Sequence, residues 1–169
     1  MRVTGTWWRI GRARADPLAW TDEAADGRWQ RGEVVRALYL ADSDETAWAE
    51  WFRHSAELGV PPQTRLPRDL WRFSVDLRDV ADLTAPGVLA ALGVEALSPT
   101  HRQWAETQPI GEACWRAGRR ALLAPSAAHV GGQVLTVFRM TPGPIGGLTP
   151  TRPTRRFSEL PALPTGLRT

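Results

Sequence analysis

Residues 34–58 read Val-Val-Arg-Ala-Leu-Tyr-Leu-Ala-Asp-Ser-Asp-Glu-Thr-Ala-Trp-Ala-Glu-Trp-Phe-Arg-His-Ser-Ala-Glu-Leu, and within them one structural period gives way to another. Val34 to Ala41 is short, apolar and rich in β-branched and aromatic residues, which predicts a strand. Asp42-Ser43-Asp44-Glu45 then supplies a side-chain cap and first-turn acids for the positive end of a helix. Ala47, Trp48, Trp51, Phe52, Ser55 and Leu58 follow at helical spacing, until Gly59 and Pro61-Pro62 stop the run. A strand leading straight into an amphipathic helix sets the expectation of an α+β domain.

Working outward, Thr6 to Ile10 predicts an earlier strand, joined to the first by a polar connection. Downstream, Trp71, Phe73, Val75 and Leu77 alternate with Arg72, Ser74 and Asp76, the period of a strand buried on one face. Short helices are expected from Pro86 to Leu92, closed by Gly93, and from Pro109 to Ala117. Strands are expected at Leu122 to Ala124 and Val134 to Arg139, separated by a Gly131-Gly132 turn. From Pro142 prolines and glycines recur too often for a regular element, so 1–141 is read as the structured domain and 142–169 as an irregular, partly mobile tail or a segment wrapped on the surface. No internal repeat or heptad is visible.

Composition narrows the chemistry. The chain has 169 residues, enough for one domain with a sizeable core. All 21 basic residues are arginine and there is no lysine, which excludes a phosphate-binding loop ending in Lys-Ser or Lys-Thr and a Schiff-base lysine. With one cysteine, Cys114, no internal disulfide can form. No apolar run approaches the roughly 20 residues of a membrane span, and residues 1–8 lack the pattern of a secretory signal, so a cytoplasmic protein is expected. His54, His101 and His129 stand apart from one another and from Cys114, so no metal is expected. Neither a Gly-x-Gly-x-x-Gly fingerprint nor a Gly-x-Ser-x-Gly elbow is present.

What remains is a dispersed set of polar residues at the ends of predicted elements: Arg9, Arg28 beside Trp29, Tyr39, Glu50, Trp104 and Ser126. Read alone, each has an ordinary structural role. Glu50 is a surface helix residue three before Arg53, Arg9 a solvated strand residue, Arg28 a loop arginine stacked on an aromatic, Tyr39 a core tyrosine and Ser126 a turn residue after Pro125. Trp48, Trp51 and Trp71 fall on apolar faces, Trp104 is a ligand-wall candidate in a predicted loop, and His54 borders any cleft at Glu50.

Their order resembles the RES domain. The resemblance covers roughly residues 7–139 and rests on Trp8-Arg9-Ile10, Gly27-Arg28-Trp29, Tyr39-Leu40-Ala41, and Glu50 eleven residues after Tyr39. It continues through Trp104, Gln108-Pro109-Ile110-Gly111-Glu112-Ala113-Cys114-Trp115 and Leu122-Leu123-Ala124-Pro125-Ser126-Ala127. The family's arginine, glutamate and serine map to Arg9, Glu50 and Ser126. Two positions depart from the pattern: Ala105 follows Trp104 where some relatives have serine, and Ile10 follows Arg9 where others have an aromatic residue.

The resemblance implies a fold like that of ADP-ribosyltransferase toxins, and a toxin that cleaves NAD between nicotinamide and ribose with phosphate or water as acceptor. It implies no cofactor, NAD being the substrate, and a partner that is an Xre-type helix-turn-helix antitoxin. Glu50, Arg9 and Tyr39 would be the catalytic residues, and Arg28, Trp104 and Ser126 would bind substrate. Two other functions stay open: transfer of ADP-ribose to a macromolecule, and a non-enzymatic basic nucleic-acid-binding domain. The second is motivated by a pI near 10.3 and by Arg152, Arg155 and Arg156, but net charge is only +3 and no helix shows a basic face. Homo-oligomerisation is left open.

Overall fold

The structure, a computed structural model, describes residues 1–100, 102–151 and 153–168; His101, Arg152 and Thr169 lie outside them. Eight strands form one sheet: β1 Val3–Arg12, β2 Arg36–Ala41, β3 Arg68–Leu77, β4 Val80–Asp82, β5 Ala121–Pro125, β6 Gln133–Arg139, β7 Leu148–Pro150 and β8 Arg155–Phe157. Three helices accompany it, α1 Asp44–Glu57, α2 Val88–Ala91 and α3 Trp104–Arg116, with a 3-10 turn at Pro62–Arg65. The strand order is β4-β5-β6-β2-β1-β3-β7, with β8 also on β3; the β4–β5 pair is parallel and the other pairs antiparallel. The architecture is α+β, as the residue pattern predicts.

Alternation along the strands divides the core between the two sheet faces. Leu38, Leu40, Ala121, Leu123, Phe73 and Val75 pack with Trp7 in one cluster, while Leu122, Ala124 and Phe138 pack with Trp29, Val35 and Leu97 in the other. The sheet is joined unevenly. β1 pairs with β3 along its whole length, Val3 opposite Leu77 through Arg12 opposite Arg68, whereas its other edge meets β2 at the single pair Trp8 and Ala41. Away from that pair the two strands diverge.

Helix α1 follows its sequence signals. The Ser43 hydroxyl accepts the Thr46 N–H at 3.0 Å, and Asp44 and Glu45 occupy the first turn. Trp48 and Trp51 are buried edge to face with centroids 5.2 Å apart. Trp48 also meets Phe157 of β8 at 4.9 Å, an aromatic contact worth about 0.5–1.5 kcal/mol beyond its area.

Several expectations need correction. Helix α3 starts at Trp104, five residues before Pro109, so Trp104 is helical rather than in a loop. The residue before it, Gln103, has φ of 50° and makes no side-chain cap bond, so the usual start signal is missing, and Pro109 lies exposed inside the helix. Helix α2 is a single turn. The stretch from Pro142 is only partly irregular, since β7 and β8 within it extend the sheet along β3. Asp69 of β3, fully buried, fixes β8 by accepting both Arg156 Nε at 2.7 Å and Nη2 at 2.9 Å, and it also accepts the Arg14 N–H at 2.8 Å. The Arg156 guanidinium holds the Asp69 carboxyl below its ordinary range.

Candidate active site

Where β1 and β2 diverge, a cavity of about 540 Å³ opens beside α1. Its walls are Trp8, Arg9 and Ile10 from β1, Tyr39 and Ala41 from β2, Glu50, Trp51, Arg53 and His54 from α1, residues 25–30, and Arg102 with Trp104. The size and the mainly apolar lining with a few convergent charges suit a nucleotide-sized ligand.

The 27–31 turn is held against the cavity by one face of α3. The Gln108 side-chain amide donates to the Gly27 carbonyl at 3.0 Å, and the Thr107 hydroxyl lies 2.5 Å from the Arg28 carbonyl. Gly111 lets the chain come close: a Cβ there would stand 1.9 Å from the Trp29 carbonyl oxygen. Glu112, 2% exposed, takes the Arg31 guanidinium at 2.8 Å on each oxygen and the Arg31 backbone N–H at 3.1 Å. These bonds to Arg31 depress the Glu112 carboxyl to about 2. The spacing 107, 108, 111, 112 is one helical stripe, the physical reason for the Gln108-to-Glu112 segment.

Tyr39 faces the same turn. Its hydroxyl accepts the Trp29 N–H at 3.1 Å and donates to Gln30 Oε1. Its proton is thereby committed, and burial raises the phenol well above its ordinary pKa, so Tyr39 offers its ring to the cavity.

Glu50 stands one quarter exposed on the cavity wall, one carboxylate oxygen 3.0 Å from Arg53 Nε. The other accepts the Ser126 hydroxyl at 2.7 Å. Ser126 itself accepts the Ala128 and His129 N–H groups at 3.1 and 3.0 Å, which leaves its proton for Glu50. Arg53 is shared with Glu57 at 2.9 Å; Glu57 takes Arg102 at 2.6 Å, and the Arg102 guanidinium lies 4.4 Å over the Trp104 ring. His54 is held below its ordinary pKa by burial and by Arg65 and is neutral at pH 7.

Arg9 donates to the Pro17 carbonyl at 2.7 Å and has no carboxylate partner among the described residues. Burial, then the charge of Arg139, pushes its pKa down to about 10, so it stays cationic at neutral pH with donors to spare for an anion. Arg28 is buried and donates to the Ser98 and Arg102 carbonyls at 3.0 and 3.3 Å, tying the approach to α3 to the cavity wall. Alternation places Arg12 on the face of β1 that carries Trp8 and Ile10, about 7 Å beyond Ile10. Arg12 stands opposite Arg68, and Arg65 and Arg68 lie over Trp51 at 5.3 and 5.8 Å. None of these three arginines has a carboxylate partner among the described residues, and burial and neighbouring arginines lower the pKa of Arg65 and Arg68. No cluster of three or more His, Cys, Asp or Glu able to hold a metal occurs among the described residues.

The family model described as the RES domain matches residues 6–158. The chain belongs to the RES-domain family. One relative, Probable NAD(+) phosphorylase Rv3189 of Mycobacterium tuberculosis, is 36% identical over 137 residues, 80% of this chain and 65% of its own length. The NAD(+) phosphorylase MbcT of Mycobacterium bovis is 31% identical over 121 residues, 69% of this chain and 64% of its own. The chain thus spans slightly less than two thirds of these relatives. Among solved structures, the M. tuberculosis MbcT–MbcA toxin–antitoxin complex superimposes with a TM-score of 0.73 at 26% identity, covering 89% of this chain and 83% of that one. The RES-domain match continues past residue 141 through β7 and β8.

In this RES domain, Arg9, Arg28, Tyr39, Glu50 and Trp104 all border the one cavity. Ser126 does not. It is 2% exposed behind Glu50, donates to that carboxylate, and lines a second cavity with Thr84, His129 and Arg168. Trp8, Trp29 and Trp51 join Trp104 in the wall, although the helical pattern marks Trp51 as core. Sequence reasoning missed Gln30, Glu57 and Arg102. Arg102 meets Glu57 across 45 residues and Gln30 meets Tyr39 through a tertiary contact, so only the Glu57 spacing to Arg53 is a signal. Arg156 is committed to Asp69, and Arg155 lies 4.5 Å over Phe157, which removes much of the free basic patch expected of a nucleic-acid-binding tail. No helix among the described residues is long and apolar enough to cross a membrane.

Proposed function

We propose that the chain is a cytoplasmic toxin that destroys NAD by cleaving the nicotinamide–ribose bond, with inorganic phosphate as acceptor. The observation that carries this reading is the Glu50 carboxylate, fixed on one side by Ser126 and on the other by Arg53, facing a cavity that also holds the unpaired Arg9 cation. As nicotinamide departs with the bonding electron pair, positive charge develops on the ribose. A pre-oriented carboxylate beside it stabilises that state more than the neutral ground state. A phosphate oxygen then bonds to the anomeric carbon, giving ADP-ribose 1″-phosphate. Arg9 supplies a planar donor fork for the pyrophosphate. Tyr39 and Trp104 supply flat walls, and Arg28 holds the wall in place. The phosphorylase names of the relatives favour phosphate over water and over transfer to a macromolecule.

The partner in this reading is a helix-turn-helix antitoxin that covers the cavity mouth. The unpaired Arg12, Arg65 and Arg68 beside Trp51 suit an acidic segment of that partner. The deciding experiment incubates the purified chain with NAD, with and without phosphate, and identifies products by mass spectrometry. Phosphate-dependent ADP-ribose 1″-phosphate with free nicotinamide is expected; intact NAD at micromolar protein overturns the reading. Growth arrest that co-expression with the adjacent antitoxin gene fails to relieve overturns the partner assignment.

A further inference from the structure

We propose that residues 164–168 form a strap that fixes the orientation of the Glu50 carboxylate, with His129 as the positioning residue between strap and site; the catalytic meaning of this rests on the NAD-cleaving reading above. Glu50 does not choose its own orientation. One of its oxygens is set by Ser126, and Ser126 is directed at it because two backbone N–H groups, from Ala128 and His129, occupy the hydroxyl's acceptor side. Arg53 of the same helix holds the other oxygen at 3.0 Å, so the Ser126 side of the carboxylate is only as fixed as the 126–132 turn. That turn is closed by the Ser126 N–H to the Gly132 carbonyl at 2.8 Å and by the Gly132 N–H to the His129 carbonyl at 3.2 Å, Ala127 packs into the core, and further hydrogen bonds reach it from two distant places.

The first is the C-terminal segment. The Val130 N–H donates to the Gly166 carbonyl at 3.0 Å, the Arg168 N–H donates to the Ala128 carbonyl at 2.8 Å, and His129 and Leu167 form a β-bridge. The second is the start of α1, the helix that carries Glu50. The two meet on the His129 ring. Its Nε2 lies 2.8 Å from the Thr165 carbonyl, which only accepts, so Nε2 carries a proton, and Nδ1 lies 2.7 Å from the hydroxyl of Thr46. Thr46 is fully buried and its hydroxyl lies 2.9 Å from that of the cap residue Ser43. One imidazole thus ties the strap and the turn to the same helix from which Glu50 projects, and the family match, ending at 158, stops short of the strap. The strap depends on a backbone that favours glycine: Gly166 has φ of 80°, and a side chain there would lie against His129 and Val130, at 3.6 and 3.5 Å from the Cβ.

The test uses the full-length chain with Ser126→Ala, His129→Ala, His129→Asn and Gly166→Val, plus the Ser126→Ala/His129→Ala double variant. We expect kcat for NAD cleavage to fall roughly tenfold in each of the two alanine variants with KM within about twofold, the scale of one lost orienting hydrogen bond. Because His129 acts through Ser126, the double variant falls no further than Ser126→Ala alone. His129→Asn, which keeps a polar atom facing Thr46, recovers most of the loss. Independently of activity, hydrogen exchange at the Ala128 and His129 amides quickens in His129→Ala and Gly166→Val while β3 amides keep their protection. Multiplying losses in the double variant, or unchanged exchange at those two amides in both strap variants, overturns the proposal. A parent protein that leaves NAD intact defeats the functional reading instead, and the exchange measurement still decides the strap.

Discussion

Two glutamates on two helices hold arginine partners, and they differ in what surrounds the pair. Glu112 of α3 is 2% exposed, and both its oxygens are filled by Arg31, with Arg116 adding a further contact at 3.1 Å. Glu50 of α1 is 25% exposed, held by one bond on each oxygen, with its remaining face toward the cavity. Saturation makes the first a staple for the 27–31 turn. Partial satisfaction leaves the second oriented yet still able to respond to charge, which is what a developing cation requires. The spacing of a glutamate to its arginine says nothing about which role it takes; the count of its remaining lone pairs does.

The comparison breaks most sharply at Glu50. Glu50→Gln keeps the size and some hydrogen bonding but removes the charge, so turnover of NAD should fall about 100-fold or more while the melting temperature stays within a few degrees and NAD affinity changes little. Parental nicotinamide release from a normally melting variant would remove Glu50 from the chemistry. Glu112→Ala should do the reverse. It strips the 27–31 turn of its anchor and lowers the melting temperature by roughly 5–10 °C, read by calorimetry, because Arg31 donors lose a charged acceptor.

Smaller effects sharpen the same contrast. Arg9→Lys keeps the charge and loses the planar fork, so the Kd for NAD should rise about tenfold with stability unchanged; equal affinity would reduce Arg9 to a generic cation. Acid should find the staple. The Glu112 carboxyl is depressed to about 2 from an ordinary 4.5, so its contribution is whole above about pH 4.5 and is lost as pH falls toward 2. Acid unfolding of Glu112→Gln should therefore lack part of the pH dependence that the parent shows in that window. The mildest change is Arg12→Gln with Arg68→Gln, expected to slow antitoxin association a few-fold at low salt and to flatten its salt dependence, with NAD turnover unaltered.

Most of the central sheet and α1 was legible because their signals are local. Ser43 caps, Trp48 and Trp51 repeat at helical spacing, and Phe73, Val75 and Leu77 alternate. Helix α3 was half legible, since its start at Trp104 has no side-chain cap and Pro109 resembles a first-turn proline. β7 and β8 were not legible: each is three residues long, and β8 is fixed by an ion pair between Asp69 and Arg156, 87 residues apart. For the candidate site, the residue types lay in the motifs, but their division of labour did not. That Ser126 bonds Glu50 and that Arg28 ties down the segment at Ser98 and Arg102 are facts of tertiary contact across 76 and 70 to 74 residues.

The lone backbone pair between β1 and β2, Trp8 with Ala41, makes the sheet nearly two half-sheets that share a hinge line. A ligand lodged in that seam would act as a keystone, bridging β1 on one flank and β2 on the other where the backbone does not. Occupancy would then stiffen the empty molecule's weakest joint, and the gain would grow with ligand as RT ln(1 + [L]/Kd). With NAD as that ligand, the reading proposed above, its cleavage would remove the keystone and leave the molecule easier to open along the seam.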